Sequence, residues 1–324
     1  AVPMWKYLAL FVLVTATVRT PAQVRNCLLI SVGVAVVTGV VATLQALNLF
    51  GLPALMARYW AEGVESTDLG NGRGSGFLGS PIATATYVTI NLAIVLALLL
   101  HRARGRWLLT GAALALTVCA FGIGQMTGIL ALLLIGVALG ALAGRLRLLA
   151  LISALVLPLA VAAVWPVLRL RVVDSSAWVP RSWMVRWGNL QQLYLPELGR
   201  NYQWVLGVRP NSTLPAPEVW RDVIYLESGY LWLLWVGGIP FVAAFLHFAR
   251  TALAAMRRVA RGRTDAVGSA ALAAWAAFVA ISVLTVIDMH LTMRGEADLA
   301  YILLALGLVG SEGIVGHRAR REGG

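Results

Sequence analysis

The chain has 324 residues, of which 60% are hydrophobic and only 12% are charged, and its net charge is +12. Soluble domains carry about 25% charged residues, so this composition excludes a soluble globular protein and indicates an integral membrane protein. The two cysteines, Cys27 and Cys119, lie within apolar segments, which argues against a disulfide framework, a cysteine metal site or a thiol nucleophile.

The apolar segments, taken in chain order, are each close to the length that crosses about 30 Å of hydrocarbon. A polar, glycine-rich break, GIGQMTG, separates the fourth from the fifth, which together would be too long for one span. We therefore predict an all-α, polytopic membrane protein in which residues 1–324 form a single transmembrane domain of about nine helices. The segments are 3–18, 27–50, 82–100, 107–123, 128–144, 148–167, 224–249, 267–287 and 299–315.

Basic residues are concentrated in alternate connections between these segments. Those connections hold 15 of the 26 basic residues but only 3 of the 14 acidic ones, so they account for the whole net charge. This is a positive-inside pattern and not the footprint of a nucleic-acid-binding protein, and it predicts a cytoplasmic C-terminus. With nine spans the first residue lies outside, so we expect an N-terminal portion with an odd number of spans to precede the sequence.

Three connections fall on the predicted outer face, two long ones at 51–81 and 168–223 and a short one at 288–298. The largest, 168–223, contains no lysine but is rich in arginine and tryptophan. Guanidinium groups bind phosphate oxygens in bidentate fashion, so this loop favours an anionic ligand. Its arginines are Arg169, Arg171, Arg181, Arg186, Arg200, Arg209 and Arg221.

The stretch SWMVRWGNLQQLYL within this loop predicts a short helix with Ser182 as N-cap. Trp183, Trp187, Leu190 and Tyr194 form one apolar stripe along it, with Arg186 at the edge. A helix lying at the membrane surface with a snorkelling arginine would show the same stripe.

Carboxylates and one histidine stand where spans meet the outer face. Glu227, at the mouth of the seventh span, is either a general base or the ion-pair partner of Arg221. Asp288, His290 and Glu296 lie in the last outer connection, DMHLTMRGEAD. Their spacing matches no metal-binding motif, so we predict a solvated polar loop there and no metal site.

Three motifs together resemble the O-antigen ligase and O-antigen polymerase superfamily. RGSGFLGSP, at 73–81, resembles its R-x-x-G-x-x-G-x-P motif, and NYQWVLGVRP and ESGYLWLLWVGGIP are similar to its later motifs in the same order. The resemblance covers nearly the whole chain. It implies metal-independent glycosyl transfer, without a cofactor, from a polyprenyl diphosphate-linked glycan to an acceptor glycan or glycolipid. The reaction would occur at the outer face of a bacterial cytoplasmic membrane.

Carried onto this chain, the two family arginines fall on Arg73 and Arg186, which would hold the diphosphate. Arg73 would lie on a flexible glycine-rich hinge whose backbone approaches the lipid headgroup. Glu227 stands where ligases carry a histidine, which favours a polymerase or a ligase with another acceptor. As further substrate-binding candidates we take Arg181, Arg209, Arg221, Trp187 and His290.

Two other classes of protein compete with this interpretation. A membrane transporter or lipid-linked glycan flippase would need ionisable groups along a path through the membrane. The apolar segments contain almost none, and we assign Gln45, Asn48 and Asn91 to helix packing. A purely structural membrane subunit would not need an arginine-rich, lysine-free outer loop.

Overall fold

The computed structural model describes residues 2–59, 72–147, 181–215 and 223–310, with isolated positions between 154 and 169. The elements in chain order are α1 (Val2–Thr17), α2 (Pro21–Ala46), α3 (Leu52–Tyr59), α4 (Pro81–Leu100), α5 (Arg106–Gly122), α6 (Met126–Ala143), α7 (Arg181–Asn189), α8 (Leu195–Gly199), β1 (Leu214–Pro215), β2 (Val223–Ile224), α9 (Gly229–Gly262), α10 (Ala266–Leu284) and α11 (Glu296–Gly307).

Long apolar helices dominate the architecture, and the chain is an all-α membrane protein. Among the described residues, five helices, α2, α4, α6, α9 and α10, are long and apolar enough to cross a membrane, and α1 and α5 are shorter apolar helices. The predicted segment 148–167 lies almost entirely outside the described residues. The number of spans therefore stays a prediction, as does the topology.

Helix starts follow local capping chemistry. At α2, Thr20 directly before Pro21 and Gln23 in the first turn form a capping box, which satisfies backbone donors that a helix start leaves free. At α4 the Ser80 side chain accepts from the Ala83 N–H as an N-cap before Pro81, and the Asp265 side chain caps α10. Because proline favours the first helical position, Pro21 and Pro81 mark the starts of α2 and α4.

Helices α4 and α10 form the centre of the bundle. They pack against each other, and both contact α2 and α6, while α5 packs on α2 and α4. The polar side chains Thr84, Thr89 and Asn91 of α4 are all buried, and such side chains favour contact with other helices over contact with lipid. The Ser31 hydroxyl donates to Asn91 Oδ1 at 2.7 Å, which supports the packing role predicted for Asn91.

The large loop packs around a small apolar cluster of its own against α9. Tyr194, Leu198, Ile224, Leu226 and Trp235 are buried together there. The Tyr194 hydroxyl lies 3.0 Å from the carbonyl oxygens of both Ser212 and Ile224. These contacts hold α7 and α8 beside the start of α9.

The helix predicted from Ser182 differs in two ways. It begins at Arg181, so Ser182 lies inside it rather than at the N-cap. It also passes into a π-helical turn over Leu190–Tyr194. A π-turn has more residues per turn than an α-helix, so the apolar residues predicted to form one stripe do not lie on one face of the helix. Tyr194 is buried while Trp187 is exposed.

Candidate active site at the end of the bundle where α4, α9 and α11 begin

The loop of residues 73–80, which leads into α4, is fixed against α2. Gln45 Oε1 accepts hydrogen bonds from the backbone N–H groups of Ser75 at 3.1 Å and Gly76 at 3.0 Å. The Gly74 N–H donates to the Ile123 carbonyl at 3.1 Å. The expectation of a flexible hinge is therefore wrong, because side-chain and backbone partners from α2 and the end of α5 hold the 73–80 loop.

Gly74 serves close packing within the protein. A Cβ atom at this position would lie 1.8 Å from the Ala42 carbonyl oxygen of α2. The glycine thus lets the 73–80 loop touch the α2 backbone, where we had expected an approach to a lipid headgroup.

We expect Gly74→Ala to lower stability by about 1–3 kcal/mol or more, because overpacking against rigid backbone is costly. Gly111→Ala is the matched control, since a Cβ at Gly111 meets nothing within 4 Å. That change should leave stability unaltered or raised by about 0.5–1 kcal/mol. Thermal unfolding of the purified proteins measures both, and equal stabilities would show that the contact with Ala42 is unimportant.

Arg186 joins three separate parts of the chain. Its Nε forms a salt bridge with Glu227 Oε2, just before α9, and its Nη1 lies 3.4 Å from Asp288 Oδ2, after α10. The Asp288 side chain is only 4% exposed, whereas that of Glu227 is 37% exposed. One guanidinium is thus shared by a buried carboxylate and an accessible one, and the three side chains carry a net charge of about −1 when ionised.

The 73–80 loop lies at the same end of the bundle. A Cβ at Gly295 would come within 2.8 Å of the Leu78 side chain, so Leu78 covers the segment between α10 and α11. Asp288 belongs to that segment. The structure therefore brings the half-buried Arg73 and the Arg186 cluster to one end of the bundle.

His290 and Glu296 form a completely buried ion pair beside this cluster. His290 Nδ1 lies 2.8 Å from Glu296 Oε1, and neither side chain has exposed surface. Burial disfavours the imidazolium, but the carboxylates of Glu296 and Asp288 outweigh it and raise the pKa of His290. The expected solvated loop is therefore wrong here, because opposite charges allow these groups to be buried together.

We expect stability to fall as pH rises, because the folded protein holds a proton on His290 more tightly than the unfolded chain does. This contribution is fully present below the unfolded pKa of about 6.5. It is lost as pH rises through the raised pKa of the folded state. Thermal unfolding at pH values from about 5 to 9 measures the slope.

His290→Gln should flatten that slope, whereas His247→Gln, at an exposed position on α9, should preserve it. A slope that is the same in the wild-type protein and in His290→Gln would contradict the assignment.

The other candidate residues have different surroundings. Arg209 donates to the Thr213 carbonyl at 3.1 Å and lies over the Trp235 ring. Trp187 is exposed next to Arg186, whereas His290 presents no surface to a ligand. Arg221, the expected partner of Glu227, lies outside the described residues, as does the side chain of Arg181.

Sequence reasoning missed two partnerships. It considered Glu227 with Arg221, the nearest basic residue along the chain, but the structure pairs Glu227 with Arg186. It also left Glu296 without a role. Glu296 could have been recognised from the sequence, because it is a carboxylate at the start of an apolar helix directly after Gly295. A charge buried at such a position needs a partner.

Among the described residues, no group of three or more His, Cys, Asp or Glu side chains could hold a metal ion. Comparison of the chain with protein-family models, curated proteins and solved structures finds no match.

Proposed function

We propose that the protein is a glycosyltransferase of the polymerase or ligase type, acting at the extracytoplasmic face of a bacterial cytoplasmic membrane. Its donor is a glycan linked to polyprenyl diphosphate, and its acceptor is a hydroxyl of a glycan or glycolipid. The observation that carries the proposal is Arg186 held between Glu227 and Asp288, at the same end of the bundle as Arg73. A cation for a leaving diphosphate and a carboxylate for the acceptor proton are the two groups that this chemistry needs.

The distribution of arginines supports an outer position for this site. The opposite end of the bundle, where α4 and α6 end and α10 begins, carries arginines in every connection. The positive-inside rule assigns that end to the cytoplasm. The basic residues there include Arg19, Arg102, Arg104, Arg106, Arg145, Arg147, Arg257, Arg258, Arg261 and Arg263.

In the transfer step the acceptor oxygen attacks the anomeric carbon of the donor sugar. The bond from that carbon to the phosphate oxygen breaks, and the lipid diphosphate leaves with the electron pair. Glu227 takes the acceptor's hydroxyl proton, while Arg186 and Arg73 stabilise the charge that develops on the diphosphate. Fixed cations are most effective where charge appears in the transition state.

Donor binding would also free Glu227 from Arg186, so that Glu227 can act as the base. In this structure the Nε of Arg186 is occupied by Glu227, so an arriving diphosphate competes with that carboxylate for the guanidinium. The buried Asp288 keeps Arg186 in place, whereas the more exposed Glu227 can turn toward the acceptor. The carboxylate would then become a free base only when a donor is present.

Reconstitution in liposomes tests the proposal. Purified protein is given a polyprenyl diphosphate-linked oligosaccharide, alone or with a second glycan acceptor, and the products are separated by size. A ladder from the donor alone indicates a polymerase, and a single product that requires the acceptor indicates a ligase. If neither forms while the donor binds, glycosyl transfer is ruled out for that donor class.

Transport is the second candidate, favoured by the completely buried His290–Glu296 pair. Ionisable groups within a membrane protein often mark proton paths. Liposomes loaded with a pH-sensitive dye test this directly. Substrate-dependent proton flux that His290→Gln abolishes would favour transport, and its absence would exclude a proton-coupled mechanism through this pair.

A further inference from the structure

The long helix α9 is broken at Gly238, and the large loop fills the break. Gly238 has φ 63° and ψ −162° and is followed closely by Pro240. In an unbroken helix the Ile239 N–H would donate to the Trp235 carbonyl. It donates instead to the carbonyls of Trp204 and Val205, at 3.2 Å each, and the Trp235 carbonyl accepts from the Val208 N–H at 2.7 Å.

Glycines on both sides make this contact possible. A Cβ at Gly238 would lie 2.2 Å from the Val205 carbonyl oxygen, and one at Gly207 would lie 2.9 Å from the Gly237 nitrogen. The loop and the helix therefore meet backbone to backbone. Withdrawing the loop would leave the backbone groups at the break without partners, which is costly away from water.

The spacing of charged residues along α9 predicts that the break lies at membrane depth. Arg250 is the first arginine toward the far end of α9, and it follows Gly238 by 12 residues, or about 18 Å of helix. With Arg250 at one boundary of a hydrocarbon core about 30 Å thick, Gly238 lies about 12 Å inside the other boundary. A tilt of the helix would place it deeper still.

The loop segment that meets the break is uncharged over five residues, and two of its side chains point outward. Residues 202–206, YQWVL, contain no charged side chain and lie between Arg200 and Arg209. Leu206 is 77% exposed and Tyr202 is 74% exposed. In water two such side chains would be an unfavourable surface, whereas among lipid tails they are suited to their surroundings.

We propose that residues 202–206 form a re-entrant segment that enters the membrane at the break in α9 and contacts the acyl chains of bulk lipid. Irregular backbone is tolerated at this depth only where it lies against protein or a water-filled cavity and not against lipid. Here the backbone of Trp204, Val205 and Val208 lies against α9 and forms hydrogen bonds with it, so it is the outward side chains that meet the acyl chains. Because Tyr202 and Leu206 project instead of lining a groove, bulk lipid fits them better than one bound molecule does. This inference does not depend on the proposed enzymatic function.

Depth-dependent fluorescence quenching tests the segment. Leu206→Cys is labelled with a small environment-sensitive fluorophore and reconstituted with lipids that carry a nitroxide in the acyl chain; iodide serves as the aqueous quencher. Gln192→Cys, at an exposed polar position of the same loop, is the matched control. Wild-type protein gives the background from Cys27 and Cys119, and size-exclusion chromatography verifies folding.

We expect the nitroxide lipids to quench the label at 206 strongly and iodide to quench it weakly, with the reverse at 192. Strong iodide quenching at 206 would show that the segment is in water. Protection from both quenchers would show that another protein surface or a bound ligand covers it. Either result overturns the proposal. Tyr202→Cys repeats the test if Leu206→Cys does not fold.

Discussion

Arg186→Lys is expected to reduce glycan transfer on the order of 100-fold, the scale of losing a preorganised charge-stabilising donor. The lysine keeps the positive charge, but its compact ammonium group cannot reproduce the planar fork of donors. In the structure that fork reaches both Glu227 and Asp288. Turnover of a labelled lipid-linked donor in liposomes measures the loss.

Arg200→Lys is the matched control in the same loop. Its side chain is 68% exposed and pairs with Glu197, three residues away, and such surface pairs contribute little. We therefore expect near wild-type turnover from it. Full activity of Arg186→Lys would remove Arg186 from the mechanism, and an equal loss in both variants would point to general damage to the loop.

Glu227→Gln is expected to lower the rate of transfer by roughly 100-fold or more, because glutamine cannot accept the acceptor's proton. Donor binding and folding should be retained, since the glutamine oxygen can still accept a hydrogen bond from Arg186. Rates are measured at several pH values, together with donor affinity and thermal stability. Glu227→His should keep partial activity, because imidazole can serve as the same kind of base.

A purely structural Glu227–Arg186 pair predicts a different pattern. Glu227→Gln would then lower stability, and its cost would be smaller when Arg186 is already replaced by glutamine, as a double-mutant cycle measures. A wild-type rate for Glu227→Gln across the pH range would rule out the base, and the buried Asp288 would become the next candidate.

The sequence predicted helices well where hydrophobicity alone decides the structure. The apolar segments at 27–50, 82–100 and 267–287 match α2, α4 and α10 to within several residues, because long uncharged stretches are stable in a membrane only as helices. In the structure Thr20 and Asp265 cap the starts of α2 and α10, whereas hydrophobicity alone places the start of the first of these segments at residue 27.

Partners across the fold could not be predicted in the same way. The carboxylate of Glu227 clearly needed a cation, yet Arg186 is far from it in sequence, and only the packing of α7 beside α9 brings them together. The role of the glycines in the 73–80 loop could not be predicted from the sequence alone either. Their pattern indicates unusual backbone, but whether it signals flexibility or close packing depends on the contact of Gly74 with α2.

A single turnover with EDTA present is the most direct test of glycosyl transfer at Arg186 and Glu227. Excess protein in liposomes receives polyprenyl diphosphate-linked glycan and acceptor, and released lipid diphosphate is counted against the glycosidic bonds formed. We predict one lipid diphosphate per bond for the wild-type protein, with neither released above background by Arg186→Lys or Glu227→Gln on the same timescale. Wild-type protein that binds the donor but releases no lipid diphosphate, or variants that release it at the wild-type rate, would contradict the assignment.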